Sequence, residues 1–295
     1  MSHKSGFVNI LGNPNVGKST MMNALVGEKL SIVTSKAQTT RHRIMGIVNG
    51  DDFQIVYSDT PGILKPSYRL QETMMDSVNI ALTDADLIIY VTDVTEKSAH
   101  QGEYIEKIGQ SGIPVVIVIN KVDLSNQEEL EKIVEIWHSV FPGSPVIPVS
   151  ALRNFNLDIL LNSILAKLPE GEPFFPKDQL TDKIDRFFAS EIIREKILKY
   201  YKKEIPYSVE IEIESFIEEE NINRIRAVIH VARDSQKGII IGHKGAMLKR
   251  VGTEARHDME DFFRKKVFLE VYVKVSKDWR DKPLMLKKFG YQQNN

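Results

Sequence analysis

The chain of 295 residues contains no cysteine, which excludes disulfide bonds and cysteine-ligated metal sites. It also has no apolar run of the ~18–20 residues that a membrane-spanning helix requires. The first five residues, Met-Ser-His-Lys-Ser, lack the apolar core of a signal peptide. No internal repeat or low-complexity segment is present. These absences predict a globular protein of the cytoplasm, and the length is sufficient for two domains.

Charge is distributed unevenly along the chain. The formal net charge is only −1, yet residues 221–295 contain 17 basic and 8 acidic residues, a local net charge of +9. An excess of this size favours a polyanionic partner. An ordinary solvated surface rich in lysine would explain the excess equally well, so charge alone leaves both interpretations open.

The first part of the sequence alternates short apolar strands with helical patterns. Strands separated by helices indicate a mostly parallel sheet covered on both faces, that is, an α/β domain. Ligands bind to such a sheet at the carboxyl ends of its strands. The predicted strands are Phe7–Leu11, Phe53–Tyr57, Leu87–Val91, Val115–Ile119 and Val146–Val149.

A proline-rich stretch divides the chain. Pro169–Pro176 contains three prolines in eight residues and cannot continue a helix. Beyond it the patterns predict helix, strand, strand, helix, a glycine-containing loop, helix and strand, which is an α+β order. We therefore predict a first domain at 1–170, a linker at 171–183, a second domain at 184–276 and a basic C-terminal tail at 277–295.

A phosphate-binding loop follows the first predicted strand. Gly12–Ser19 (GNPNVGKS) fits the pattern G-x-x-x-x-G-K-[ST] and opens a helix, the context that this motif requires. Its backbone N–H groups would surround the phosphates, while Lys18 would reach the β/γ oxygens and the Ser19 hydroxyl would hold Mg²⁺.

Three further segments lie directly after predicted strands. Asp59–Gly62 (DTPG) offers a carboxylate for Mg²⁺ and a glycine N–H for the γ-phosphate, and Ser150–Leu152 can close over a base. In Asn120–Asp123 (NKVD), the final carboxylate can accept from two donors of guanine that adenine lacks, so the motifs together specify GTP. The predicted GTP-binding residues are Gly12, Asn13, Pro14, Asn15, Val16, Gly17, Lys18, Ser19, Thr20, Asp59, Thr60, Pro61, Gly62, Ile63, Asn120, Lys121, Val122, Asp123, Ser150, Ala151 and Leu152.

With these motifs the chain resembles the translation-factor-like P-loop GTPases. The resemblance makes Gln38–His42 (QTTRH) a mobile switch that carries a threonine to Mg²⁺. We favour Thr40 over Thr39, so the predicted metal ligands are Ser19, Thr40 and Asp59.

One position departs from the Ras-like pattern, which places a water-orienting glutamine directly after the DxxG glycine. Ile63 stands there instead. Two explanations stay open. Intrinsic hydrolysis is slow and a partner promotes it, or K⁺ held beside Asn15, as in related GTPases, supplies the missing charge.

A second glycine–lysine loop follows an apolar run in the basic part of the chain. Gly242–Gly245 (GHKG) lacks the Lys-Ser pair of a nucleotide loop, which leaves an ordinary turn or the GXXG loop by which KH domains hold single-stranded nucleic acid. The order of predicted elements fits the prokaryotic KH arrangement. The predicted RNA-binding residues are Ile241, Gly242, His243, Lys244, Gly245, Met247, Lys249 and Arg250.

An N-terminal GTPase domain followed by a KH domain resembles the bacterial Era family over essentially the whole chain. That resemblance implies a GTPase that binds the 3′ end of small-subunit (16S) ribosomal RNA, acts on 30S precursors in subunit assembly, and associates in part with the inner face of the cell membrane. Nothing in the sequence indicates an obligate oligomer, so we expect a monomer. The alternatives are a GTPase whose basic domain binds anionic lipid, and an RNA-binding module whose nucleotide site is structural.

Overall fold

The structure is a computed structural model that describes residues 3–96 and 100–291. The chain divides into two units, Met1–Lys65 with Met74–Asp182, and Pro66–Thr73 with Lys183–Asn295. Among the described residues, every helix is too short or too polar to cross a membrane.

The first unit contains a six-stranded sheet in the order β2-β3-β1-β4-β5-β6. All neighbouring strands are parallel except β2 and β3, so the predicted mostly parallel α/β sheet is confirmed. The strands are β1 Lys4–Gly12, β2 Ile44–Asn49, β3 Phe53–Asp59, β4 Leu87–Asp93, β5 Val115–Asn120 and β6 Val146–Pro148. The helices between them are α1 Lys18–Val26, α2 Arg69–Thr83, α3 Glu103–Gln110, α4 Gln127–Val140 and α5 Leu157–Lys167, of which residues 69–73 of α2 are assigned to the second unit.

Burial explains why the strands read as continuous apolar runs. Strands β4 and β5 are buried along their whole length because helices cover both faces of the sheet. On one side, Trp137 packs between Tyr90 and Phe141, with ring centroids 5.4 and 6.2 Å away. The rigid sheet fixes the ends of its strands, where the predicted motifs lie.

The predicted linker is packed rather than free. Gln54 Nε2 donates to the carbonyl oxygen of Phe175 at 2.8 Å, and the Thr181 hydroxyl donates to the carbonyl oxygen of Met45 at 2.7 Å. Residues 171–182 therefore run along strands β2 and β3 and belong to the first unit.

The second unit is an α+β domain with a three-stranded sheet in the order β7-β8-β9, in which β8 and β9 are parallel. Ile193 and Ile197 of α6 pack with Val251 and Met259 of α9 over one face of the sheet. The elements are α6 Asp185–Tyr200, α7 Ile205–Ser208, β7 Val209–Glu218, β8 Ile222–Val231, α8 Asp234–Ile241, α9 Ala246–Phe263, β9 Lys266–Val275 and α10 Pro283–Lys288.

The described part of the predicted tail, 277–291, packs on the second unit. Trp279 is fully buried and its indole N–H donates to the carbonyl oxygen of Ser208 at 3.0 Å. The Tyr291 hydroxyl donates to Glu210 at 2.5 Å. These buried contacts explain why residues 277–291 are not a free basic extension, while residues 292–295 lie outside the described residues.

A buried histidine lies beneath this C-terminal segment. His230 bonds Ser276 Oγ through Nδ1 at 2.8 Å and Glu212 through Nε2 at 2.9 Å, and Phe289 packs on its ring. Burial lowers the pKa of His230 below its ordinary value of 6.5, the Glu212 carboxylate opposes this shift, and nearby Lys288 and Lys274 reinforce it. The neutral imidazole is therefore the form that the fold favours.

Candidate nucleotide site and nucleic-acid groove

The phosphate loop connects the end of β1 to the start of α1, and its glycines are required by close approaches. Gly12 and Gly17 have φ of 147° and 96°. A Cβ at Gly12 would lie 2.1 Å from the carbonyl oxygen of Val91, and a Cβ at Gly17 would lie 2.2 Å from Asn120 Nδ2. Only glycine allows the loop to curl this tightly against the neighbouring strands.

Lys18 is held inside the loop. Its side chain is buried, and Nζ donates to the carbonyl oxygens of Gly12 at 2.9 Å and Asn13 at 2.7 Å. Burial lowers the pKa of Lys18 from 10.5 to about 8, although Asp59 and Glu96 raise it. Phosphate groups beside this ammonium would favour its charged form, so the lysine is suited to a polyphosphate.

Three oxygen-bearing side chains converge next to the loop. The Ser19 hydroxyl donates to Asp59 Oδ2 at 2.7 Å and lies 2.8 Å from the Thr40 hydroxyl, which also donates to Asp59 Oδ2 at 3.1 Å. Asp59 is fully buried and its Oδ1 makes no hydrogen bond among the described residues. Burial raises the pKa of Asp59, against the opposing effects of Lys18 and the hydroxyls of Ser19, Ser31 and Thr40.

This cluster fits Mg²⁺, which prefers hard oxygen ligands and partial hydration. A divalent cation would compensate the buried carboxylate and occupy its unpartnered oxygen. The hydrogen bonds of the two neighbouring threonines, Thr39 and Thr40, distinguish them as candidate metal ligands. Thr39 lies 2.7 Å from the Thr34 hydroxyl and donates to the carbonyl oxygen of Lys36, whereas Thr40 faces the cluster.

The base-recognition segments are bonded to the phosphate loop and to each other. Asn120 Nδ2 donates to the carbonyl oxygen of Val16 at 2.8 Å, and its Oδ1 accepts from the Ala151 N–H at 3.0 Å. The Ser150 hydroxyl donates to Asp123 Oδ1 at 2.5 Å. The Ser150 hydroxyl thereby fixes the orientation of the Asp123 carboxylate, whose Oδ2 makes no hydrogen bond with the described residues.

Lys121 links the base site to the phosphate loop from a left-handed backbone conformation, with φ of 60°. Its Nζ donates to the carbonyl oxygen of Asn15 at 2.7 Å and pairs with Asp93 at 2.5 Å. Burial alone would raise the pKa of Asp93, but hydrogen bonds from Lys121 and Thr95 lower it below its ordinary value. Asp93 therefore remains a carboxylate that holds Lys121 in place.

A cavity of about 540 Å³ joins these segments. Residues of the phosphate loop, Gly62, Asn120, Lys121, Asp123, Ser150 and Leu152 line it, so the structure brings all four predicted motifs together. Ile32–Lys36 and Leu124 also line the cavity, and sequence reasoning missed them. The predicted residues that do not line it are Gly12, Asn13, Val16, Asp59, Thr60, Pro61, Ile63, Val122 and Ala151.

Ile63 contributes its backbone rather than its side chain to the site. Its N–H donates to the carbonyl oxygen of Gly12 at 3.1 Å, and its side chain packs against the apolar core of the first unit. An apolar group directed into the core cannot orient an attacking water, which agrees with the departure seen in the sequence.

In the second unit, the GXXG loop connects α8 to α9. Gly242, Lys244 and Gly245 all have positive φ, of 71°, 48° and 77°. A Cβ at Gly242 would lie 2.8 Å from Met247 Cβ, so glycine is required there. The side chains of His243 and Lys244 are exposed, and the N-terminus of α9 follows them directly.

A groove of about 380 Å³ begins at this loop and runs between α9 and the edge strand β9. Of the predicted RNA-binding residues, only Gly245 and Lys249 line it. Arg250 instead packs on the Tyr200 ring at 4.0 Å and pairs with Glu254. Arg256, one of the basic residues that the sequence places near the loop, also lines the groove, and the lining residues that sequence reasoning missed are Leu248, Gly252, Thr253, Leu269 and Val271.

The apolar run before the loop has two roles. Ile240 is fully buried in the core of the second unit, Ile239 is about half exposed, and Ile241 and Met247 are half-buried. Neighbouring residues of a helix point in different directions, which explains why Ile240 of α8 is buried while Ile239 is half exposed.

Comparison with known proteins matches each part of the chain to a known family. A family model described as a 50S ribosome-binding GTPase matches residues 7–121, and a KH-domain model matches residues 204–280. GTPase Era of Syntrophus aciditrophicus is 46% identical over 294 residues, covering 98% of this chain and 96% of that protein. GTPase Era of Staphylococcus haemolyticus is 43% identical over 291 residues, covering 98% of this chain and 97% of that protein.

The structure is also similar to a crystal structure of Era in complex with MgGDPNP and nucleotides 1506–1542 of 16S ribosomal RNA. The TM-score is 0.95 at 39% identity, with 99% of this chain and 100% of that chain covered. An Aquifex aeolicus Era variant bound to GDP and AlF4⁻ gives a TM-score of 0.94 at 38% identity, with 98% and 100% covered. Near-complete coverage, identity above 40% and a shared two-part architecture show that this chain belongs to the GTPase Era family.

Proposed function

We propose that this GTPase binds the 3′-terminal region of 16S ribosomal RNA in the groove beside Gly242–Gly245 and acts in assembly of the 30S subunit. The observation that carries the proposal is the groove itself, which joins a GXXG loop to an apolar wall and two cationic side chains. Support comes from the related Era, whose crystal structure contains nucleotides 1506–1542 of 16S ribosomal RNA.

The groove has the features that single-stranded RNA requires. Leu269 and Val271 supply an apolar wall for unstacked bases, and the Thr253 hydroxyl can accept or donate at a base edge. Lys249 and Arg256 lie on the other wall, which α9 forms, and can contact phosphates. Gly245 at the mouth allows the RNA backbone to approach the N-terminus of α9.

The nucleotide site would act as the switch. GTP and Mg²⁺ would be held by Lys18, Ser19, Thr40 and Asp59, which already converge within hydrogen-bond distance. The metal ion, when bound, would neutralise charge on the β- and γ-phosphates. Because Thr40 lies in the segment Gln38–His42, loss of the γ-phosphate would release that segment.

Binding of an oligonucleotide with the 16S 3′-terminal sequence tests the proposal. Replacing His243 and Lys244 by Asp should weaken RNA binding at least tenfold and leave GDP affinity unchanged, because only the loop is altered. The matched control replaces Lys274 and Lys277, exposed lysines outside the groove, by Asp. Equal losses in the two double variants would show that net charge, rather than the loop, determines binding.

Crosslinking followed by RNA sequencing identifies the RNA in cells. Enrichment of the 16S 3′ end is expected, whereas a scatter of messenger RNAs would contradict the assembly role. Binding to anionic vesicles that is lost in the loop variant, with RNA binding retained, would favour the alternative of a lipid-binding domain.

We also propose that K⁺ beside Asn15 assists GTP hydrolysis. Asn15 is exposed, lines the nucleotide cavity and has φ of 67°, and its side-chain amide makes no hydrogen bond among the described residues. The Asn15 amide oxygen is therefore available to a monovalent cation. GTP turnover should be faster in KCl than in NaCl, and Asn15→Ala should remove the difference. Equal rates in both salts would contradict the role of K⁺.

The proposal places the protein in the cytoplasm as a monomer, with peripheral contact with the inner membrane as the family resemblance implies. Fractionation of cell extracts with and without a salt wash tests the membrane contact. Light scattering of the purified chain tests the oligomeric state.

A further inference from the structure

A carboxylate outside the nucleotide cavity is bonded to the phosphate loop. Glu96 follows the carboxyl end of β4, and its Oε1 accepts from Asn13 Nδ2 at 2.9 Å. Its Oε2 accepts from the hydroxyl of Thr92, a residue of β4 itself, at 2.8 Å. Glu96 therefore connects a buried strand of the sheet to the second residue of the loop.

The connection continues to the phosphate-binding lysine. The carbonyl oxygen of Asn13 accepts from Lys18 Nζ at 2.7 Å. Both ends of the Asn13 residue are thus held, its side chain by Glu96 and its carbonyl group by Lys18. A rotation of Asn13 would move the acceptor that orients the Lys18 ammonium.

Strand β4 provides a fixed base for this chain of bonds. It lies between β1 and β5 and is buried throughout its length, and Thr92 is 1% exposed. The turn after it is also fixed, because the Thr95 N–H and hydroxyl both donate to Asp93. The side chains of Thr92, Glu96 and Asn13 are restrained by these hydrogen bonds, so the sheet fixes the position of the loop.

We infer that Glu96 is a positioning residue of the nucleotide site, which fixes Asn13 and thereby aims Lys18 at the phosphates. Glu96 is outside the cavity lining and is connected to the loop by its hydrogen bond with Asn13, so we expect it to act through Asn13. Such a carboxylate could position the loop or act electrostatically on Lys18, and the two functions depend on different properties of Glu96. Positioning needs the two hydrogen bonds, whereas an electrostatic effect on Lys18 needs the negative charge.

Two substitutions of Glu96 separate these functions. In Glu96→Gln the amide oxygen can still accept from Asn13, and the amide nitrogen can donate to the Thr92 hydroxyl, so both links persist without the charge. Glu96→Ala removes both links. We expect Glu96→Ala to weaken binding of a fluorescent GDP analogue about tenfold, the size that follows from loss of hydrogen bonds to a charged group. Glu96→Gln should recover most of that loss.

A double-mutant cycle with Asn13→Ala tests the route. If Glu96 acts through Asn13, the double variant should bind the analogue no more weakly than the worse single variant. Single-turnover GTP hydrolysis should fall in Glu96→Ala and recover in Glu96→Gln. The control for general destabilisation is Asp86→Ala, which removes a carboxylate that accepts from the Phe7 N–H at 2.8 Å, away from the loop.

Four results would overturn the inference. Glu96→Ala could bind the analogue within twofold of wild type, or Glu96→Gln could be as weak as Glu96→Ala, which would assign the effect to charge. The losses in the double variant could add in full. Asp86→Ala could reproduce the loss, which would assign it to the stability of the sheet.

Discussion

Asn120 offers a quantitative test of how the nucleotide site is assembled. Its side chain is 3% exposed and makes two hydrogen bonds, one to the carbonyl oxygen of Val16 and one from the Ala151 N–H. It therefore joins the phosphate loop to the segment that closes over the base. Asn120→Ala would leave both partners unsatisfied, at a cost of about 1–3 kcal/mol each.

The cost should be larger with nucleotide bound than without it. Val16 and Ala151 are buried, so without nucleotide their segments must move apart to admit water to the unsatisfied groups, whereas a bound base holds the two segments in place. We expect a difference of about 2–3 kcal/mol between the two states, which corresponds to roughly 30- to 150-fold weaker GDP binding. Stopped-flow measurement of association and dissociation of a fluorescent GDP analogue gives this ratio directly, and most of the change should appear in the dissociation rate.

Asn126→Ala is the matched control. Asn126 also uses its side-chain oxygen to accept from a backbone N–H, that of Glu129 at 3.0 Å, but it does so as the N-cap of α4. Its removal should lower the free energy of unfolding by about 1 kcal/mol and leave GDP affinity unchanged. An Asn120→Ala protein that binds GDP within threefold of wild type would refute the reasoning, as would an equal loss in Asn126→Ala.

Three further predictions concern the base, the groove and the buried histidine. Asp123→Asn should weaken GTP binding about a hundredfold and shift the preference to xanthine nucleotides, because the amide donates a hydrogen bond where the carboxylate accepted one. Competition binding measures the preference, and an unchanged preference for GTP would contradict the role of Asp123 in base recognition. Gly252→Leu should fill the groove and weaken RNA binding at least tenfold without loss of GDP binding, since Gly252 lines the groove, whereas Gly238→Leu at an open position serves as control. Because burial lowers the pKa of His230, the unfolded chain binds a proton more readily than the folded chain as pH falls below 6.5, and the free energy of unfolding decreases there. His230→Gln should reduce this pH dependence of stability. Unfolding midpoints at pH 7.5 and 5.5 measure the change, and an equal change in wild type and variant would refute the prediction.

The nucleotide motifs could be predicted because each depends on local sequence at the end of a parallel strand. A strand of this kind reads as a continuous apolar run, and the residues that follow it are placed at one edge of the sheet. Strand β2, Ile44–Asn49, could not be recognised in the same way. It is the antiparallel edge strand, it contains Gly46, and its identity depends on pairing with β3.

The groove in the second unit was predicted only in part, because its walls combine two elements. Residues four apart on α9, such as Leu248 and Gly252, face Leu269 and Val271 only when the register of β9 is fixed. Arg250 was predicted from its position beside the GXXG loop, yet it does not line the groove. A neighbouring Tyr200 ring and Glu254 already hold its guanidinium, and neither partner is evident from charge alone.

The two glycine–lysine loops both place a left-handed glycine before a helix, but they differ in the burial of the lysine. Gly17 and Gly245 both precede a helix in left-handed conformation, so each loop leads into a helix N-terminus, which favours an anion. Lys18, however, is 6% exposed and bonded to loop carbonyls, whereas the Lys244 side chain is exposed. An enclosed ammonium selects a ligand small enough to enter the cavity, such as a nucleotide phosphate. An exposed ammonium can instead contact an RNA backbone that passes across the surface. This difference in burial is not contained in the short motifs, and it favours a different ligand for each loop.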